Sequence, residues 1–119
     1  MMQREFTDFF AALQYEDSPH FSSERMCELL GIKRRELADM CRLRPERFRL
    51  APMSPQVQLS LRELVRVLGA AYDRFDDERQ LVFWFKNCPI APCDYRTPAE
   101  LCAQGRAADV LECLATQRC

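Results

Sequence analysis

Three cysteines, three prolines and the single tryptophan fall within residues 84–102, WFKNCPIAPCDYRTPAELC. Cysteines can ligate a metal, exchange disulfides or attack a substrate, and each chemistry demands its own spacing. A structural zinc site needs four nitrogen or sulfur ligands, usually in close pairs such as C-x2-C. Here Cys88 and Cys93 are five positions apart, Cys102 lies beyond them, and the only histidine, His20, is distant in sequence. A redox pair prefers C-x-x-C at a helix start, and no such pair occurs. A thiol nucleophile needs a base, and His20 is the only imidazole. There is no glycine-rich phosphate loop. The expectation is a chain that is not an enzyme, binds no metal and carries no cofactor.

A second set of residues points to a different chemistry. Residues 31–50 hold seven cations (Lys33, Arg34, Arg35, Arg42, Arg44, Arg47, Arg49) against three carboxylates, a balance of +4. Residues 1–30 hold two cations against six carboxylates, −4, and residues 51–119 hold eight against nine, −1. A basic segment inside a mildly acidic chain fits a local contact with a polyanion. The same segment satisfies the spacing of a helix-turn-helix, in which crossing helices require one small residue, a glycine turn and fixed apolar positions. Counted from Ser23, Met26 is fourth, Cys27 fifth, Leu30 eighth, Gly31 ninth, Ile32 tenth, Leu37 fifteenth and Met40 eighteenth. The positions left to face outward are Lys33, Arg34, Arg35, Ala38, Asp39 and Arg42. Arginine forks match guanine edges, and both cation types neutralise phosphates. These six are the expected DNA-binding residues, reading an operator.

The elements that must position these groups all read as helices. Phe6, Phe9, Phe10 and Leu13 follow i, i+3, i+4, i+7. Ser22 is placed as an N-cap, with Phe21 and Met26 as its hydrophobic staple. A short helix runs to Leu30, Gly31 turns the chain, and a third helix spans Arg34 to Arg42. RLAPMSPQ breaks the chain. Ser54-Pro55 then starts the longest helix, whose stripe is Val57, Leu61, Leu64, Leu68, Tyr72 and Phe75. Asp76 and Asp77 can cap a helix with Leu81, Trp84 and Phe85 on its apolar face. Thr97, Pro98 and Glu100 form a capping box. Gly105 stops that helix, and Ala107, Val110, Leu111 and Leu114 face inward on the last one. Trp84 reads equally well as a core residue and as an interface residue.

Composition bounds the rest. The 119 residues are 48% apolar, enough for a buried core. No apolar run approaches the ~20 residues of a membrane span, and MMQREFTDFF lacks the pattern of a secretory signal. Seven cysteines, an odd number, then read as free thiols in a reducing cytoplasm.

WFKNCPIAPCDYRTPAEL, followed by Val110 and Leu114, resembles the C-terminal domain of the Xre–MbcA–ParS antitoxins. The family pattern has a Trp-Leu helix end, a proline-containing loop, a Leu-Gly-Gly turn and a Thr/Arg-x-Pro-x-Glu-Leu helix start. Trp84, Phe85, Pro89, Pro98, Glu100 and Leu101 match it. LRELVRVLGAAYDRFDDE is similar to the family's linking helix, so the resemblance covers about residues 20 to 116. Pro92-Cys93-Asp94 stands where the family has Leu-Gly-Gly, in a loop read as one residue longer.

The resemblance implies an all-α fold: an N-terminal Xre-like helix-turn-helix unit (1–53) joined by a long helix to a small C-terminal toxin-binding domain (54–119). It implies an antitoxin of a type II toxin–antitoxin system, which blocks a RES-domain toxin that uses NAD, dimerises and represses its own operon. Trp84, Pro89, Tyr95, Arg96, Arg106 and Arg118 are the toxin-binding residues expected on this reading. The alternative is a solitary helix-turn-helix regulator whose C-terminal domain only dimerises or binds another protein. A third reading is a thiol-based redox sensor.

Overall fold

The computed structural model describes residues 6–116 (with side chains from residue 8 onward), and among them every element is helical. The first helix, α1 (Phe6–Ala12), turns Phe9 into the core and is followed by a loop closed by an isolated bridge between Gln14 and Phe21. That bridge delivers Ser22 to its capping position. The Ser22 hydroxyl accepts from the Arg25 amide at 3.2 Å and starts α2 (Ser23–Leu30), while Phe21 and Met26 are both buried around the cap. Gly31 ends α2 in the left-handed region at φ 63°, which glycine adopts without strain. The chain then enters α3 (Arg34–Cys41), where the Lys33 amide donates to the Glu36 carboxylate at 2.9 Å.

Between α3 and the RLAPMSPQ break the chain forms a helix that no sequence signal assigned. This is α4 (Glu46–Leu50), begun by Pro45 and held down by buried Phe48. Ser54 then caps α5 (Pro55–Ala71), accepting from the Val57 amide at 3.3 Å. The helix is four residues shorter than its apolar stripe implies. Tyr72 and Phe75 continue the stripe, but from a 3-10 turn (Tyr72–Arg74) and the residue after it. Tyr72 stays buried against Phe9, with ring centroids 4.9 Å apart.

Asp77 caps α6 (Glu78–Asn87), and Thr97 with Glu100 forms the capping box of α7 (Pro98–Ala103). Gly105, at φ 75°, turns the chain into α8 (Ala107–Ala115). The Arg42 guanidinium lies beside it, at ordinary contact distance (3.6 Å) from where a Cβ would stand. The Arg74 guanidinium donates to the Leu114 carbonyl and ties the 3-10 turn to the end of α8.

The long helix α5 packs on α1, α3, α6 and α8, and α3 packs on α7. One buried apolar cluster therefore draws side chains from both sides of residue 53. A polar contact joins the same two halves. The Gln58 side chain, buried on α5, accepts from the Phe21 amide at 2.8 Å. It donates to the carbonyls of Phe21 at 3.0 Å and Pro52 at 2.9 Å.

Replacing Gln58 by Leu keeps the volume but leaves these buried backbone groups unpaired. The expected cost is about 2–4 kcal/mol, read as a lower denaturant midpoint with little change in slope.

Candidate nucleic-acid interface and partner surface

The expected DNA-reading face divides into two parts. Lys33, Arg34 and Arg35 are exposed at the start of α3, and Asp39 is exposed one turn further on. Leu37, Met40 and Cys41 are buried beneath them. Ala38 does not face outward as expected: it is 0% exposed. Its small side chain lies on the side of α3 that α5 and α7 cover, which the spacing rule for a free helix pair did not anticipate.

Arg42 is exposed, as expected, but it is also tethered. It lies just past α3 in the left-handed region at φ 57°, and its Nη1 donates to the Cys102 carbonyl at 2.9 Å. The same nitrogen is 3.9 Å from the Glu63 carboxylate. Arg42 is thus a strut between α3, α5 and α7. Arg44, Arg47 and Arg49 are exposed along α4 and its approach, with Arg47 donating to Gln56 at 2.9 Å. Their charge was legible in the sequence, but their helix was not.

The connection between α2 and α3 is fixed from a distance. Lys86 Nζ donates to the carbonyls of Leu30 at 2.7 Å and Gly31 at 3.4 Å. A cation at a helix C-terminus satisfies carbonyls that have no partner within the helix. No local signal could have identified Lys86, because its partners lie more than fifty residues earlier.

The expected toxin-binding residues are also split. Trp84 is 7% exposed and packs on Phe75 at a ring separation of 5.8 Å, so it is a core residue rather than a presented one. Its remaining edge borders an open cleft with Phe75, Phe83 and Cys88. Pro89, Tyr95 and Arg96 are exposed together on the loop between α6 and α7. Arg106 is half-buried, and its Nε donates to Asp109 at 2.7 Å beside Pro92 and Cys93. Arg118 lies outside the described residues.

The loop itself is tightly built. Ile90 is buried; its amide donates to the Arg96 carbonyl at 3.0 Å, and its own carbonyl accepts from the amides of Cys93 at 2.9 Å and Tyr95 at 3.0 Å. A 3-10 turn (Ala91–Cys93) seats the buried Cys93. Pro92-Cys93-Asp94 stands where the resembled family has its Leu-Gly-Gly turn. The left-handed residues are Asp94 (φ 60°) and Tyr95 (φ 59°). Asp tolerates this region, whereas Tyr has no compensating side-chain bond for it.

Among the described residues, no three His, Cys, Asp or Glu side chains gather as a metal-ligand set. No helix among them is long and apolar enough to cross a membrane. The six cysteines among the described residues form no disulfide, and two of them, Cys41 on α3 and Cys102 on α7, are buried. Burial pushes both Cys41 and Cys102 up to about 12. Burial also raises Cys27, against the pull of nearby Arg34. Comparison with protein-family models, with curated proteins and with solved structures found no match.

Two expected outcomes follow from this geometry. Tyr95→Gly removes the cost of a left-handed non-glycine residue, about 1 kcal/mol. Part of that gain is returned as unfolded-chain entropy, so the thermal midpoint should rise modestly. Separately, Cys41 and Cys102 ionise near 9 when unfolded and near 12 when folded. The protonated folded state is therefore favoured in full below about pH 9, and stability falls as pH rises from there towards 12. Denaturant titrations on either side of about pH 9 should record that fall, with a shallower slope in Cys102→Ala.

Proposed function

We propose that this chain is a DNA-binding antitoxin: it grips operator DNA through the start of α3 and neutralises a RES-domain toxin through the loop between α6 and α7. The observation that carries the reading is the arrangement from Trp84 to Thr97. A tryptophan closes a helix, a proline loop follows, and a boxed helix begins at Thr97. Two consecutive left-handed residues, Asp94 and Tyr95, stand immediately before Arg96-Thr97-Pro98. If Cys93-Asp94-Tyr95 takes the place of the antitoxins' Leu-Gly-Gly, the loop needs no extra residue, and buried Cys93 replaces the leucine. Three prolines at 89, 92 and 98 limit the loop's freedom before a partner binds, which lowers the ordering cost of an interface.

The DNA half of the reading rests on three adjacent exposed cations, Lys33, Arg34 and Arg35, carried by a helix whose opposite side is locked in the core. A rigid helix presenting cations at its start can set them against phosphates and base edges together. The chain itself performs no catalysis on this reading and holds no cofactor.

One observation favours the alternative, a solitary regulator. Trp84 is buried and Arg106 is occupied by Asp109, so two of the cations and aromatics assigned to the toxin are not freely presented. The two readings part on a single experiment. Co-expressed with a RES-type toxin encoded beside its gene, the wild-type chain should restore growth, and Tyr95→Ala with Arg96→Ala should not. Wild-type protein that fails to protect sinks the antitoxin reading and leaves the regulator. Arg34→Ala with Arg35→Ala should abolish a gel shift on the upstream DNA and reduce the salt slope by about 0.9 per lost phosphate contact. An unchanged shift removes DNA binding from both readings.

A further inference from the structure

We infer that Cys93 and Cys113 form an oxidation site, which a low-molecular-weight disulfide converts into an intramolecular disulfide tying the loop between α6 and α7 to α8. The two cysteines are distant in sequence, with the whole of α7 between them. The fold brings both to the wall of one cleft of about 250 Å³. Each is nearly buried, at 6% and 5% exposure. The cleft is otherwise mostly polar, with Arg106, Asp109, Glu112 and Thr116 around it, so water and a hydrophilic solute can enter. Burial pushes the Cys93 thiol up, Cys113 adds to that displacement, and the Arg106 guanidinium opposes it. The influence of one thiol on another falls with separation, so it marks the two sulfurs as neighbours.

Both backbones are held in place before any bond forms. The Cys93 amide donates to the Ile90 carbonyl at 2.9 Å, and the Cys93 carbonyl accepts from the Arg96 amide at 3.2 Å. Cys113 lies in the last turn of α8, where its carbonyl accepts from the Thr116 hydroxyl at 3.2 Å. Closing a bond between groups already held costs little further ordering. The buried thiols of the α3–α7 seam differ. Burial pushes Cys41 and Cys102 up to about 12, which leaves almost no thiolate at neutral pH.

The bond forms in two displacements. A thiolate of the pair attacks one sulfur of the small disulfide. That S–S bond breaks, and the departing half leaves as a thiolate that takes up a proton. The second thiol of the pair loses its proton, attacks the protein sulfur of the mixed disulfide and expels the other half, which is protonated in turn. Two protein thiols are oxidised, and one small disulfide is reduced to two thiols. An excess of small thiol runs the sequence backwards.

The full chain, incubated with oxidised glutathione and digested without reduction, should yield a cross-linked peptide pair containing Cys93 and Cys113, lighter by two hydrogen atoms than the two peptides together. The thermal midpoint of the oxidised chain should rise by at least about 5 °C, and dithiothreitol should reverse the rise. Cys93→Ala and Cys113→Ser should each lose both the cross-link and the rise, whereas Cys88→Ser should keep them. The cross-link is mapped on the wild-type chain, so that result stands even where a variant fails to fold. Wild-type protein that stays fully reduced, carries glutathione only on single cysteines, cross-links through Cys88 or Cys119, or melts no higher when oxidised would overturn the assignment.

Discussion

Apart from α5, with its 17 residues, every described helix has ten or fewer. Isolated helices of that length do not persist in water, because nucleation costs more than a few turns of hydrogen bonds return. The other helices therefore exist only while they are packed, and α5 offers the longest surface for it. Its stripe from Val57 to Ala71 is that surface, and α1, α3, α6 and α8 each bury a face against it. Gln58 sits within the stripe and is the exception that fixes orientation. An apolar residue there would hold the N-terminal segment near α5, whereas the amide sets its register through both backbone groups of Phe21.

The same dependence explains why the basic corner and the partner loop are not independent modules. The helix carrying Lys33, Arg34 and Arg35 has its back on α7, and α7 follows directly from the loop that presents Tyr95 and Arg96. Arg42 spans the seam by reaching the Cys102 carbonyl. The buried thiols of Cys41 and Cys102 line this seam as small apolar side chains, with ionisation displaced far above neutral pH. Cysteine in these positions is packing material.

Much of this was legible in local sequence. The caps at Ser22, Ser54, Asp77 and Thr97 were all readable, because a cap is a contact between residues three or four apart. The glycine turn at 31 and the buried positions Met26, Leu30, Leu37, Met40, Ala107, Val110 and Leu114 were readable from spacing alone. Reading failed where the deciding partner was remote. Ala38 was assigned outward because nothing in its own helix reveals α7 arriving against it. Trp84 was undecided until Phe75 and the core closed over it. The left-handed pair at 94–95 contains no glycine, so nothing in the local sequence announces its positive φ.

By itself the sequence determined an all-α chain, its helix starts, and the concentration of positive charge in residues 31–50. Those properties depend on neighbours within one or two turns. The tertiary structure alone decided which cations remain presented and which become struts, as with Arg35 and Arg42. It also decided that Phe83, rather than Trp84, is the aromatic ring of α6 left in water. Exposure is a property of what packs against a residue, and for this chain packing partners such as Phe9 and Tyr72 lie far apart in sequence.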